Sequence, residues 1–242
     1  MYELLSDPQT YLSFIALTAL EVVLGIDNLL FISIVTSRLP KHQQEKARKL
    51  GIGLALFGRL ALLFSLGWVL SLTKPLFAFW GFSFAGRDLV LGLGGIFLIY
   101  KSTQEIFIHL EQASPHAQSI KKHITMASAI GQILLLDLVF SLDSIITAIG
   151  LVKHISIMAV AIVIAVIAML LFSGTINGFL DRHPSMKVLA LSFLLLIAVL
   201  LVAEAFGNHM PRAYVYFALG FSVMVEMINI AHRNRVDKEK KH

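Results

Sequence analysis

The sequence predicts an all-α membrane protein of seven transmembrane helices, arranged as a 3+3 inverted repeat plus a seventh helix, with the N-terminus outside and the C-terminus cytoplasmic. Three observations predict it. The 242 residues are 57% hydrophobic and only 14% charged, with a mean hydropathy of +0.80, too apolar for an ordinary soluble domain. Apolar runs of about 20 residues, the length that crosses a bilayer as a helix, recur along the chain. Finally, the octet EVVLGIDN, Glu21 to Asn28, is answered by DLVFSLDS, Asp137 to Ser144.

The first run, Tyr11 to Thr36, follows a segment without the basic n-region and small-residue cleavage site of a secretory signal, so it is expected to stay as a span. A basic connector leads to span 2, Gly51 to Leu72, which carries Arg59 inside it. Arg87 and Asp88 open span 3, Leu89 to Ile108. The polar connector His109 to Thr125 is the longest break, and span 4, Met126 to Leu151, then brings the second octet. Span 5, Ile155 to Leu180, and span 6, Val188 to Phe206, are nearly free of charge apart from Glu204 at the close of span 6. Span 7, Tyr214 to Ala231, precedes a charge run, His232 to His242, expected to fray. Short connectors make residues 1–242 a single transmembrane domain, with repeat 1 at about 11–108, repeat 2 at about 126–206 and the extra helix at about 214–231.

Lys and Arg set the orientation. Fifteen of the 20 fall after spans 1, 3 and 5 or in the tail. Only Lys74, Arg87, Lys153 and Arg212 fall on the other side, which puts the basic side in the cytoplasm. The net charge of +5 is therefore topological, and with no RNA- or DNA-binding motif beside it no nucleic-acid partner is expected; the lipid bilayer is the partner. The absence of cysteine excludes disulfides, thiolate metal sites and a cysteine nucleophile.

Between the octets Glu21 matches Asp137, Gly25 matches Ser141, Asp27 matches Asp143 and Asn28 matches Ser144, with apolar positions kept apolar. Span 1 and span 4 cross in opposite senses, so the two units would be related by an axis in the membrane plane, as in many transporters. At about 1.5 Å rise per residue, Glu21 and Asp143 fall in an outer layer and Asp27 and Asp137 in a cytoplasmic one. The expectation is a crossed pairing, Glu21 facing Asp143 and Asp27 facing Asp137. Six residues of regular helix separate two side chains by about 9 Å along the axis and about 120° around it. Each pair therefore converges on one ion only if the helix breaks, near Gly25 and Ser141; otherwise two sites stack. Both arrangements fit the sequence.

An aspartate at mid-span costs roughly 2.5–3.5 kcal/mol on the insertion scale, so acids there mark function unless paired. Arg59 is the one basic residue read as buried, which leaves Glu21, Asp27, Asp137, Asp143 and Glu226 short of positive charge. A cation or protons would fill the deficit. Oxygen ligands, with Asn28 and Ser144 adding neutral ones, favour a hard or borderline ion such as Mn²⁺, Mg²⁺ or Ca²⁺. The plainer alternative is that these groups only bond helices together. Glu226 and Asn229 share a face of span 7 and are read, with Arg59, as a coupling or supporting set, against the alternative of helix packing. Asp88 is a candidate at the entrance; Arg87 and Glu204 are assigned to anchoring or capping. His109, His116 and His123, every seventh residue of the connector, are weighed as a metal or pH sensor against ordinary loop histidines. Gly51, Gly53, Gly58, Gly92, Gly94 and Gly95 are expected to let helices pack closely. Neither a nucleotide cradle nor a Ser/His or HExxH arrangement is present, so no prosthetic group and no enzyme is expected.

The two octets, with GRDLVLGLGGIFLIYKS in span 3 and EMIN in span 7, resemble the TerC family of integral membrane proteins, in the form of its short bacterial members. The resemblance covers nearly the whole chain; Gly25 departs from the serine common at that position. It implies a multi-pass protein of the bacterial inner membrane. The family takes its name from tellurite resistance, and several members are implicated in Mn²⁺ export. The implied function is export of a divalent cation, Mn²⁺ first, in exchange for protons, with Glu21, Asp27, Asn28, Asp137, Asp143 and Ser144 as ion ligands. The competing reading is a membrane scaffold partnering the secretion or insertion machinery.

Overall fold

The computed structural model describes residues 8–79, 82–111, 124–151, 154–208 and 210–239. Among these described residues, eight helices and one short hairpin follow in order: α1 (Pro8–Thr36), α2 (Lys41–Phe64), α3 (Leu66–Ser71), β1 (Pro75–Phe79), β2 (Phe82–Ala85), α4 (Gly86–Glu111), α5 (Met126–Leu151), α6 (Ile155–Arg182), α7 (Pro184–Ala205) and α8 (Arg212–Glu239). Among the described residues, five helices are long and apolar enough to cross a membrane: α1, α5, α6, α7 and α8. The all-α membrane class stands, and the expected seven spans become five by this measure. Of the two remaining, α2 begins in the basic segment and α4 carries Arg87, Asp88, Lys101 and Glu105, charges that dilute their apolar windows.

The differences from expectation have local causes. Span 2 is two helices, because Ser65 turns its hydroxyl back onto the carbonyls of Ala61 and Leu62 and competes with the backbone ladder. The connector after α1 is cut short: Gln44 caps the carbonyls of Ser37 and Leu39, so the basic residues from Lys41 onward join α2. The segment before α4 pairs as an antiparallel hairpin, Phe77 opposite Phe84, and Phe84 rests edge-on against Phe206 beyond α7. Helix α7 ends on Gly207 at φ 80°, where Asn208 N–H bonds the carbonyl of Ala203 and Gly207 N–H that of Glu204, a reversal that favours glycine. The tail is helical through Glu239. Of the weighed histidines, His109 lies in the last turn of α4, while His116 and His123 fall outside the described residues.

The most extensive helix interfaces are α4 with α7, α1 with α6 and α2 with α5. Exchanging α1, α2 and α4 for α5, α6 and α7 carries this set onto itself. Small residues permit the closest approaches. A Cβ on Gly94 would lie 2.5 Å from a Val139 methyl, and one on Gly95 would lie 2.9 Å from the Ala198 carbonyl oxygen. Gly51 and Gly92 also sit against neighbours, whereas Gly53 and Gly58 face open space and serve no close packing. Helix α8 is the peripheral member, packed on α7 with Tyr214, Phe217, Phe221 and Ile228 exposed.

Candidate functional site

Both acidic helices are continuous: α1 runs through Gly25 and α5 through Ser141 without a break. Of the two arrangements open to the sequence, the unbroken one is observed. The acids of each octet therefore point in different directions, about 120° apart, and meet different partners. Gly25 lets α6 approach, since a Cβ there would meet Met169 Sδ at 2.8 Å. Its counterpart Ser141 donates its hydroxyl to Asp137 Oδ2 at 3.2 Å.

Arg59 joins the two octets. Its Nη1 donates to Glu21 Oε2 at 3.0 Å, while Nε and Nη2 donate to Asp137 Oδ1 at 3.0 and 2.6 Å. Asn28 Nδ2 donates a hydrogen bond to the same Asp137 oxygen at 3.2 Å, and Ser144 lies beside Glu21. Arg59 is 2% exposed and Glu21 1%. In so dry a setting a guanidinium with three charge-assisted bonds is strongly held, and removing it would leave two carboxylates uncompensated. The residue from span 2 thus bridges an acid from each repeat.

A second arginine forms a second bridge. Arg87, at the start of α4, donates from Nη2 to Asp143 Oδ1 at 2.7 Å and to Glu204 Oε1 at the end of α7. The crossed pairing therefore does not describe the ion pairs: Glu21 is joined to Asp137, and Asp143 to Glu204. Asp27 is instead met by the Tyr216 hydroxyl of α8 at 3.4 Å. A narrow cleft of about 30 Å³, room for little more than a water molecule, lies among α1, α2, α5, α7 and α8. Asp27, Asn28, Arg59, Ser144, Glu204 and Tyr216 supply its polar lining.

Among the described residues, no three His, Asp or Glu side chains converge as a ready metal cage. The oxygen donors along the cleft suit a hard cation, but several of the acids are engaged by arginines in this conformation.

The remaining candidates lie elsewhere. Asp88 accepts the Ala85 N–H at 2.8 Å and fastens the hairpin to α4, so it is a capping group and no part of the cleft lining. Glu226 does share a face with Asn229, at 3.3 Å, but Arg233 holds it at 2.7 Å, away from the cleft. Arg59 is also not the only buried base: Arg48, assigned to a connector, is 8% exposed on α2 and donates to Ser173 of α6.

Sequence reasoning missed Arg87, Glu204 and Tyr216. A signal existed for the first two, because Asp143 lies about 7 Å from mid-span toward the side where span 3 opens and span 6 closes. Tyr216 gave none, since an aromatic near a span end is ordinarily an interfacial anchor.

The comparisons agree that this is a membrane protein. The model of the Integral membrane protein TerC family matches residues 6–241. A UPF0053 protein of Haemophilus influenzae is 46% identical over 96% of this chain and 98% of its own length. The UPF0053 inner membrane protein YgdQ of Escherichia coli K12 is 45% identical over 97% of this chain and 98% of its own length. The UPF0053 inner membrane protein YoaE of the same strain is 48% identical over 96% of this chain, which spans only 45% of that relative. No solved structure matches.

Proposed function

This chain belongs to the TerC family of integral membrane proteins and is a multi-pass inner-membrane protein, and from that premise we infer a secondary transporter that exports a divalent metal cation, Mn²⁺ foremost, in exchange for protons. One observation carries the reading: two carboxylates from the two octets, Glu21 and Asp137, share one buried arginine beside a cleft lined with oxygen donors. Such acids are costly in a bilayer, and a purely structural role would be met more cheaply by neutral side chains. The interchangeable helix interfaces support an inverted repeat, and the basic side is assigned to the cytoplasm.

In this reading Arg59 is the resting counter-ion. A cation entering the cleft meets Asp27, Asn28 and Ser144, then competes with Arg59 for Glu21 and Asp137 and with Arg87 for Asp143. The oxygen set favours Mn²⁺, Mg²⁺ or Ca²⁺ over softer ions. On the far side, protons or the arginines reclaim the carboxylates and the cation leaves.

Purified protein in liposomes loaded with a divalent-sensitive dye should admit Mn²⁺, and Asp27→Asn or Glu21→Gln should abolish the signal. A wild-type protein that moves none of Mn²⁺, Ca²⁺ or Mg²⁺ would sink the reading. If function in cells then survived loss of the acids but required a secretion-machinery partner, the scaffold would replace it.

A further inference from the structure

Helices α4 and α7 are antiparallel and form the most extensive interface of the bundle. Each starts with a base and carries an acid toward its far end: Arg87 and Glu105 on α4, Lys187 and Glu204 on α7. Packing them antiparallel sets base against acid at both ends. At one end Arg87 binds Glu204 and, from α5, Asp143 at 2.7 Å. At the other, Glu105 lies within electrostatic reach of Lys187 and takes Arg38 at 2.7 Å, while Lys187 donates to Ser37 at 3.1 Å. The second cluster thus ties α4 and α7 to the end of α1. The clusters stand about 27 Å apart along α4, at opposite ends of the bundle, and the cleft reaches the first of them, since Glu204 is part of its lining. All are partly shielded: side-chain exposure is 15%, 3% and 18% for Arg87, Asp143 and Glu204, and 17% and 12% for Arg38 and Glu105.

We propose that these clusters are the two gates of the permeation path, Arg87–Asp143–Glu204 closing the outer end and Arg38–Glu105–Lys187 the cytoplasmic end, and that both are shut in this conformation. The proposal deepens the transporter reading and rests on it for direction. A helix pair locked by charge at both ends has two discrete arrangements when one lock opens, which is what alternating exposure needs. The outer gate is also linked to the site, because Asp143 is both an ion ligand candidate and an Arg87 partner. A cation that takes Asp143 removes one of the bonds holding that gate.

The chain has no cysteine, so a single introduced thiol reports cleanly. Leu200→Cys, in the cleft wall, is treated with a membrane-impermeant maleimide on right-side-out and inverted vesicles, in three backgrounds. Without a further change, labelling should be slow from both faces. Arg87→Gln should accelerate it from one face and Arg38→Gln from the opposite face, each by about tenfold, within the usual range for coupling between two conformations. Arg87→Lys and Arg38→Lys, which keep the charge, should stay slow, separating an opened gate from a misfolded bundle. Equal labelling from both faces, or no change in either variant, would overturn the gates. The readout needs no transport: Mn²⁺ flux with unchanged labelling discards the gates alone, and sided labelling without flux discards the transporter alone.

Discussion

Replacing Arg59 with Met tests the centre of the site. Arg59 is 2% exposed and makes three hydrogen bonds of 2.6–3.0 Å to Glu21 and Asp137. Removing one partner of a buried ion pair costs about 3–5 kcal/mol, mostly because the remaining charge is stranded. Here two carboxylates would be stranded, so Arg59→Met is expected at the upper end of that range, as a clear fall in the thermal midpoint of purified protein in detergent. Adding Glu21→Gln and Asp137→Asn should recover most of the loss, since the stranded charges are then gone. Millimolar Mn²⁺ should stabilise Arg59→Met more than wild type, because a cation supplies the missing charge and ligand binding adds RT ln(1 + [L]/Kd). An Arg59→Met protein as stable as wild type and indifferent to Mn²⁺ would refute both the energetics and the counter-ion role.

Further outcomes follow from the geometry. Gly95→Ala drives a methyl against the Ala198 carbonyl and should cost about 1–3 kcal/mol in detergent unfolding; Gly53→Ala, with nothing near, should be neutral or stabilise by up to about 1 kcal/mol. Tyr216→Phe deletes a long bond to Asp27 and should shift stability by no more than about 1 kcal/mol, while changing Mn²⁺ affinity measured by calorimetry. His109 is held below the ordinary histidine value of 6.5 by burial and then by the neighbouring Lys187 charge. The unfolded chain takes up that proton first, so stability from neutral His109 is complete above 6.5, declines as pH falls through it and levels off below the folded value. His109→Gln should flatten that part of the pH–stability curve, read from thermal midpoints between neutral and mildly acid pH.

Much of the site was legible because the cost of an intramembrane charge does not depend on the fold. Glu21, Asp27, Asp137 and Asp143 stand out in apolar runs wherever their helices pack, and the matched spacing of the octets marks them as a pair. All four are buried in the bundle, with Asn28 and Ser144 beside them. Depth along a helix could be counted, but azimuth and neighbours could not. For that reason the sequence could not name the counter-ions: Asn28 meets Asp137 and Ser144 lies beside Glu21 in the crossed sense, but Arg59 reaches Glu21 and Asp137 from a third helix and Arg87 draws Asp143 toward Glu204. Likewise, Ser65 in span 2 is an unremarkable hydroxyl until it bonds the Leu62 carbonyl at the point where α2 ends.

By itself the sequence determined the membrane class and which carboxylates the bilayer makes expensive, because hydropathy and charge act residue by residue. Only the tertiary structure decided who neutralises whom. Partnership depends on which helices are neighbours and how each is rotated, and α4 against α7, joining Arg87 to Glu204 at one end and Lys187 to the surroundings of Glu105 at the other, has no local signature. Those long-range contacts turn a chain with too many buried acids into one whose charges are held in place by arginines.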